Sequence, residues 1–475
     1  MKNVVSQTKI VATLGPASSS REVLIKLIEE GVNIFRLNFS HSRQEEHLKS
    51  INLIKQVNEE LGTTVSLLAD LQGPKLRVGE IENNRLDLVE GEIITFVSEK
   101  CIGTKEHIYM SYQEFPMDVN VGESILIDDG KLKLEIIETN RKDMVKAVVI
   151  YGGPLSSKKG VNLPNTKVSL PSLTEEDISN ANFALDHGVD WIALSFVRNA
   201  SDILDLKELI KKKKGHAGVV AKIEKPEALL EIDQIIDLTD AVMVARGDLG
   251  VEVPFDEVPL MQKSIIKKCI AHSKPVIVAT QMMESMITNF RPTRAEATDC
   301  ANAVLDGADA LMLSGETSVG KFPVETIYSM KKIICTTEIS GKAFFKPNAP
   351  VEGTPTFHAN SICYNATLLA HQVKAKAIIA FTHSGYTAFR VASHRPDAII
   401  YAFTDNERLL RKLSLVWGVQ AFYVEAYDVI DDVIEKSINI LKEKRLVIDG
   451  DTLVHVGSTP LSQKGRTNMM KVSYV

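Results

Sequence analysis

The sequence predicts an α/β protein whose main body is a (β/α)8 barrel, interrupted by an inserted β domain and followed by a C-terminal α/β domain. Short apolar runs alternate with segments of helical periodicity, the pattern of parallel strands joined by crossover helices. The strand-like runs of this kind number eight, at 9–14, 32–37, 65–70, 190–196, 219–224, 240–245, 276–281 and 309–314. Eight strand–helix units close a barrel. One gap, between about 70 and 190, is far too long for a single crossover and turns β-rich.

Taken in order, the first run, Lys9-Ile10-Val11-Ala12-Thr13-Leu14, follows a short polar lead-in that lacks the features of a signal peptide. Helical periodicity separates the early runs at 21–30 and 44–60, and the later ones at 175–187 among others. The insert spans 73–167, and Asp128-Asp129-Gly130 between alternating apolar runs predicts a hairpin there. Lys158-Lys159-Gly160, Pro164 and Pro171 mark the return to the barrel, which therefore comprises 1–72 and 168–340. A Pro-rich connection (KPNAPVEGTPTF) then leads into the last domain, 341–475, with strand-like runs KAIIAFT, AIIYAFT, VQAFYVE, TLVHVGS and MMKVSYV. The lysine run at 211–214 reads as a helix end, where cations suit the dipole.

Composition limits the function. Hydrophobic residues at 44% and charged residues at 24% are the balance of a soluble globular protein. A formal net charge of −6 speaks against nucleic acid or an anionic membrane as partner. No run reaches the roughly 20 apolar residues of a membrane span. Five scattered cysteines without a CxxC or Cys/His cluster suggest neither zinc nor disulfides. A cytoplasmic protein is the expectation.

Catalytic groups of such barrels sit at the C-terminal ends of strands. There the sequence places Arg36, Asn38 and Ser40, then Asp70 and Arg77, then Ser195. Lys222 and Glu224 follow, then Arg246-Gly247-Asp248, Thr280-Gln281 and Ser314-Gly315-Glu316. Lys222 and Glu224 are two apart on a strand and so share a face. Glu224 and Asp248, from neighbouring strands, can share a hard divalent cation while leaving positions for substrate oxygens. Lys222 and Glu224 alone would equally suit a metal-free buried ion pair. Around Gly247, a short helical turn could present free N–H groups to a carboxylate or phosphate.

The strings that carry these residues resemble the pyruvate kinase family from end to end: KIVATLGPAS (9–18), RLNFSH (36–41), SKKGVNLP (157–164), KIE (222–224), VARGDLGVEVP (244–254), ATQMMESM (279–286), RPTRAEATD (291–299) and ANAVLDGADALMLSGET (301–317). The likeness is weaker in the insert and in the last domain. It implies a TIM-type barrel that transfers a phosphoryl group from phosphoenolpyruvate to ADP, giving pyruvate and ATP in the last step of glycolysis. By resemblance, Glu224 and Asp248 hold Mg²⁺ or Mn²⁺, while Gly247, Asp248 and Thr280 bind the substrate carboxylate. Arg36 and Lys222 neutralise the phosphoryl group, and Lys222 also steadies the enolate. Thr280 and Ser314 belong to a network delivering its proton. Arg77, Lys159 and His41 reach the nucleotide, with the insert as a lid.

One stretch departs from the common pattern. Many members use K⁺ beside the phosphoryl site and carry Thr-Lys after the Asp and Glu after the Gly-Pro. Here the stretch reads Asp70-Leu71-Gln72-Gly73-Pro74-Lys75-Leu76-Arg77. The monovalent site of Asn38, Ser40 and Asp70 is thus expected to be replaced by the Lys75 ammonium, as in the potassium-independent branch, with no requirement for K⁺. In the last domain, Thr382, Ser384, Gly385 and Thr387 resemble the family's effector loop, with Lys464 and Arg466 as further cations. A phosphorylated allosteric effector and a homotetramer follow from the resemblance. His383 and Tyr386 stand where sugar-bisphosphate-responsive members often carry basic residues. Two rivals remain: a metal-dependent barrel lyase or aldolase acting on pyruvate or phosphoenolpyruvate, and a catalytically dead effector-binding relative.

Overall fold

Eight parallel strands close a ring in the structure, a computed structural model that describes residues 6–425, 429–460 and 466–475. They are β1 (Lys9–Thr13), β2 (Ile34–Asn38), β3 (Ser66–Asp70), β4 (Trp191–Leu194), β5 (Gly218–Ile223), β6 (Ala241–Ala245), β7 (Val276–Ala279) and β8 (Ala310–Leu313). Pairing of Lys9 with Ala310 and of Ala12 with Leu313 joins the last strand to the first. Two strands end two residues earlier than the periodicity predicts, β4 at Leu194 and β7 at Ala279. Just beyond them Phe196, Thr280 and Gln281 have φ of 55°, 68° and 54°, and left-handed backbone cannot continue a strand.

Local signals set the helices. The helix Arg21–Glu30 begins under the Ser20 hydroxyl and ends on left-handed Gly31 (φ 119°), whose N–H returns to Leu27 and Ile28. Glu175–Asp186 starts with a reciprocal Thr174/Asp177 capping box. Ala200–Lys212 carries Lys211 and Lys212 in its last turn, so the lysine run does end a helix. Among the described residues no helix is long and apolar enough to cross a membrane.

Between β3 and β4 the chain forms a sheet ordered Val161–Asn162, Ser124–Ile127, Leu132–Thr139, Met144–Tyr151, Ile93–Val97 and His107–Tyr109. Its two edges are joined by one segment: Arg77 bridges Gly160 while Val78 bridges Met110. The sheet wraps a separate core around Phe96, Phe115, Ile125 and Leu134. The expected hairpin is present, with Asp128, Asp129 and Gly130 all at positive φ. The last unit is a sheet ordered Val419–Tyr423, Ile399–Thr404, Ala377–Phe381, Thr452–Gly457 and Met469–Tyr474, the final strand antiparallel. All five expected runs form these strands.

This last unit closes the floor of the barrel. Leu415 joins the interior cluster of Val11, Ile34, Leu68, Trp191 and Val220. Around it, Lys9 donates to the Val419 carbonyl at 2.8 Å, and Arg411 pairs with Asp190 at 2.8 Å. Buried Arg395 reaches Asp309, just before β8, at 2.8 Å. Asp309 also accepts the Trp417 N–H at 3.0 Å, and the Arg395 guanidinium lies 5.1 Å from the Trp417 ring centroid. Removing one member of such a buried pair strands the other charge, so Arg395→Met is expected to cost about 3–5 kcal/mol. Urea unfolding followed by tryptophan fluorescence reads this as a lower midpoint. An unmoved midpoint would show the pair to be dispensable.

Candidate active site

Side chains alternate faces along a strand, so residues two apart share the barrel interior. The interior cluster contains Val11, Ile34, Leu68, Ala193, Val220 and Met312. Two residues further along the same strands lie Thr13, Arg36, Asp70, Ser195, Lys222 and Ser314. The apolar filling therefore ends in one polar tier at the C-terminal mouth. This is where the sequence placed its candidates.

Asp70 organises the tier. Arg36 Nε donates to its Oδ2 at 2.6 Å, and Lys222 Nζ lies 3.1 Å from its Oδ1. Arg36 also donates to the Thr13 hydroxyl at 3.0 Å. Lys222 donates to Ser195 Oγ at 2.6 Å and pairs with Glu224 Oε1 at 2.9 Å. The other Glu224 oxygen accepts the Phe196 N–H at 2.8 Å. Asp70 and Glu224 are each 1% exposed. Burial pushes the Asp70 carboxyl up, but Lys222 and Arg36 outweigh it and hold the group below its ordinary range. Burial likewise works against the Lys222 ammonium, and Asp70 and Glu224 reverse that, raising its pKa. For Glu224 the balance goes the other way. Burial, abetted by the Asp248 charge, outweighs Lys222 and raises its pKa.

That imbalance is what a cation would correct. Two carboxylates, one sealed from water and each felt by the other, are a hard-oxygen donor pair that fits a divalent ion. No group of three or more His, Cys, Asp or Glu is placed to hold a metal ion among the described residues, so other donors would come from substrate and water. Asp248 lies near the start of the helix Arg246–Glu252 and stays partly open to solvent. Thr280, strained at φ 68°, accepts the Gly247 N–H at 2.7 Å and donates to the Ala279 carbonyl. The Gly247 N–H is therefore engaged by Thr280, where a free donor was expected. Arg246 is held by Asp299 at 2.7 Å and by the Thr280 carbonyl at 2.7 Å, which fixes the turn.

Basic groups gather near Arg36 at the barrel edge, and others stand where the insert returns. Burial and then Lys75, Arg77 and Arg36 depress the His41 pKa, so these four groups share one neighbourhood. Arg77 donates to the Lys158 carbonyl at 3.0 Å, and Lys159 pairs with Asp128 at 2.8 Å. Asn38 spends its side-chain oxygen on the Ser40 N–H at 3.1 Å. Ser314 gives its N–H to Glu316 at 2.7 Å.

A family model described as pyruvate kinase, barrel domain, matches residues 5–327, and one described as pyruvate kinase, alpha/beta domain, matches residues 360–473. The chain belongs to the pyruvate kinase family. A pyruvate kinase of Geobacillus stearothermophilus is 42% identical over 471 residues, covering 99% of this chain and 80% of its own length. One from Corynebacterium glutamicum is 42% identical over 466 residues, covering 98% and 97%. The crystal structure of a pyruvate kinase from Cryptosporidium parvum superposes with a TM-score of 0.91 at 34% identity, covering 99% and 96%. As a member of this family the chain is an enzyme, a phosphotransferase, and the family implies dependence on a divalent metal. The barrel lyase and the dead relative lose their support.

In the C-terminal unit the loop Thr382–Thr387 borders a cavity of about 400 Å³ lined by Thr382, Ser384, Thr387 and Arg466. Gly385, at φ 93°, could not carry a Cβ without meeting Phe389 at 2.8 Å. Thr382 accepts its N–H at 2.9 Å, and Thr387 shares a hydrogen bond with Thr467 at 2.8 Å. Lys464 falls outside the described residues. Sequence reasoning missed the acidic groups of this cavity, Asp405 and Glu425, and the bond of Asp405 to His383 at 2.5 Å. It also missed Thr13 and the bridging part of Asp70, which only the ring closure reveals.

Because the folded Asp70 carboxyl lies below its unfolded value, its contribution is present above about pH 4 and is lost as pH falls through the folded value. Asp70→Asn is therefore expected to destabilise the protein at pH 7, with the gap to wild type narrowing below about pH 4. Urea titrations from pH 3 to 7 measure it. A gap independent of pH would refute the assignment.

Proposed function

We propose that this chain transfers the phosphoryl group of phosphoenolpyruvate to ADP, giving pyruvate and ATP. The observation that carries the reading is the charged tier, in which Arg36 and Lys222 meet at Asp70 beside the carboxylates Glu224 and Asp248. Phosphoryl transfer needs positioning and positive charge about the equatorial oxygens more than it needs covalent chemistry. A divalent cation, Mg²⁺ or Mn²⁺, on Glu224 and Asp248 supplies Lewis-acid charge to substrate oxygens. Arg36 and Lys222 neutralise the phosphoryl group as its bond to the enol oxygen breaks and one to the ADP terminal oxygen forms. Lys222 steadies the enolate left behind, which takes a proton at carbon through the polar groups of Thr280 and Ser314. Gly247, Asp248 and Thr280 orient the substrate carboxylate, which takes over the Gly247 N–H from the Thr280 hydroxyl. Arg77, Lys159 and His41 attract the nucleotide phosphates, and the insert, 73–167, serves as the lid that excludes water.

Lys75 supports a potassium-independent enzyme. Its charge reaches His41, and its Cε lies 3.5 Å from where a Cβ on Gly160 would stand, so it occupies the seam between barrel and insert. There a fixed ammonium takes the place of a monovalent ion beside Asn38, Ser40 and Asp70. The hydroxyl-lined cavity at Thr382, Ser384, Gly385 and Thr387 takes a phosphorylated effector. The working form is a cytoplasmic homotetramer.

A coupled assay of pyruvate release tests the reaction. Lys222→Met and Glu224→Gln are each expected to lower kcat by roughly 100-fold or more, and retention of the full rate by either would mean the site is wrongly assigned. In tetramethylammonium buffer free of Na⁺ and K⁺ the wild type should reach full rate. Strong activation on adding K⁺ would instead restore the monovalent site.

A further inference from the structure

The insert meets the barrel through a charged cluster that the reaction does not use. Glu252 ends the helix that carries Asp248, and its side chain is 0% exposed. Its Oε1 accepts from Lys225 Nζ at 2.7 Å and from Asn162 Nδ2 at 2.7 Å, while Oε2 is buried without a partner among the described residues. Lys225 directly follows Glu224. Asn162 belongs to the edge strand of the insert, Val161–Asn162. One carboxylate thus holds the insert, the residue after one metal-site carboxylate and the helix bearing the other.

A second link runs in parallel. Arg198 donates to the Val168 carbonyl at 2.5 Å and to the Leu170 carbonyl at 2.6 Å, gripping the chain as it returns from the insert. The same loop supplies the Phe196 N–H that orients Glu224. Between the two crossings lies a cavity of about 30 Å³ bordered by Pro74, Leu76, Val161 and Phe196. A buried ion pair is no better for stability than well-packed apolar side chains, so packing alone does not account for this one.

We propose that Glu252 is a positioning residue that couples the seating of the insert to the two metal-site carboxylates. The inference rests on the reading of Glu224 and Asp248 as the metal pair and of the insert as a lid. Displacement of Asn162 moves Glu252, and with it Lys225 and the Asp248 helix. Seating of the lid on a nucleotide is then felt at the metal site, and the metal site biases the lid.

Three full-length variants test it: Asn162→Ala, Glu252→Gln, and Lys225→Met/Glu252→Gln, which removes both buried charges and so protects against misfolding from a stranded one. Mn²⁺ binding without nucleotide is read by electron paramagnetic resonance, and KM for ADP and kcat by the coupled assay. Asn162→Ala, which cuts only the lid arm, should raise KM for ADP by about tenfold while leaving Mn²⁺ affinity unchanged. Glu252→Gln and the double variant should both weaken Mn²⁺ by about tenfold or more and raise KM for ADP. An Asn162→Ala enzyme with wild-type KM, or a double variant that binds Mn²⁺ as the wild type does, overturns the coupling. If the wild type turns over both substrates while all variants match it, only this inference fails. A wild type whose Mn²⁺ binding is untouched by Glu224→Gln removes the metal-site reading and the coupling together.

Discussion

The two-residue alternation of a closed parallel ring governs what the molecule can do. Because the eight strands are locked in register, interior side chains fall in tiers, and only the tier at the C-terminal mouth lies within reach of solvent. Val11, Ile34, Leu68, Val220 and Met312 fill the ring, so polar groups two residues on stand on a floor that cannot yield. Arg36, Asp70 and Lys222 need that rigidity. They lie on three different strands, and their mutual distances of 2.6 Å and 3.1 Å exist only because the ring fixes the strand stagger.

Charge balance within the tier follows from burial. Arg36 and Lys222 bring two positive charges, and Asp70 and Glu224 two negative ones, so the sealed part of the mouth is neutral by itself. Asp70 is the carboxylate both cations stabilise, whereas Glu224, pressed by burial and by Asp248, is the one that remains under-compensated. The asymmetry separates two carboxylates of similar exposure into one that holds cationic side chains and one suited to a bound ion.

Much of this was legible from sequence because the period-2 signal and the strand-end polar residues are local features. All eight barrel strands and the five of the last unit were visible as apolar runs, and the hairpin at 128–130 was visible as Asp-Asp-Gly. The early ends of β4 and β7 were not, since positive φ at Phe196 and Thr280 is enforced by their surroundings and has no local signature for those residue types. Asp70 could be placed at a strand end but its double pairing could not, since its partners are 34 residues before it and 152 after it in the chain. The sequence singled out none of Glu252, Lys225 and Asn162. Where insert and barrel meet, Glu252 and Lys225 are buried and Asn162 is half-buried.

The seam between β1 and β8 also bears on how the molecule is made. Lys9 pairs with Ala310, and its ammonium is bound by the Val419 carbonyl, 410 positions later. On a ribosome adding 5–20 residues per second, roughly 15–60 s separate the emergence of β1 from that of its partner. Throughout that interval an apolar strand with an open edge waits in the nascent chain, while the insert, with a core of its own, has already been completed. The order of synthesis thus opposes the order of closure, and the cell must shelter the first strand until the last one arrives.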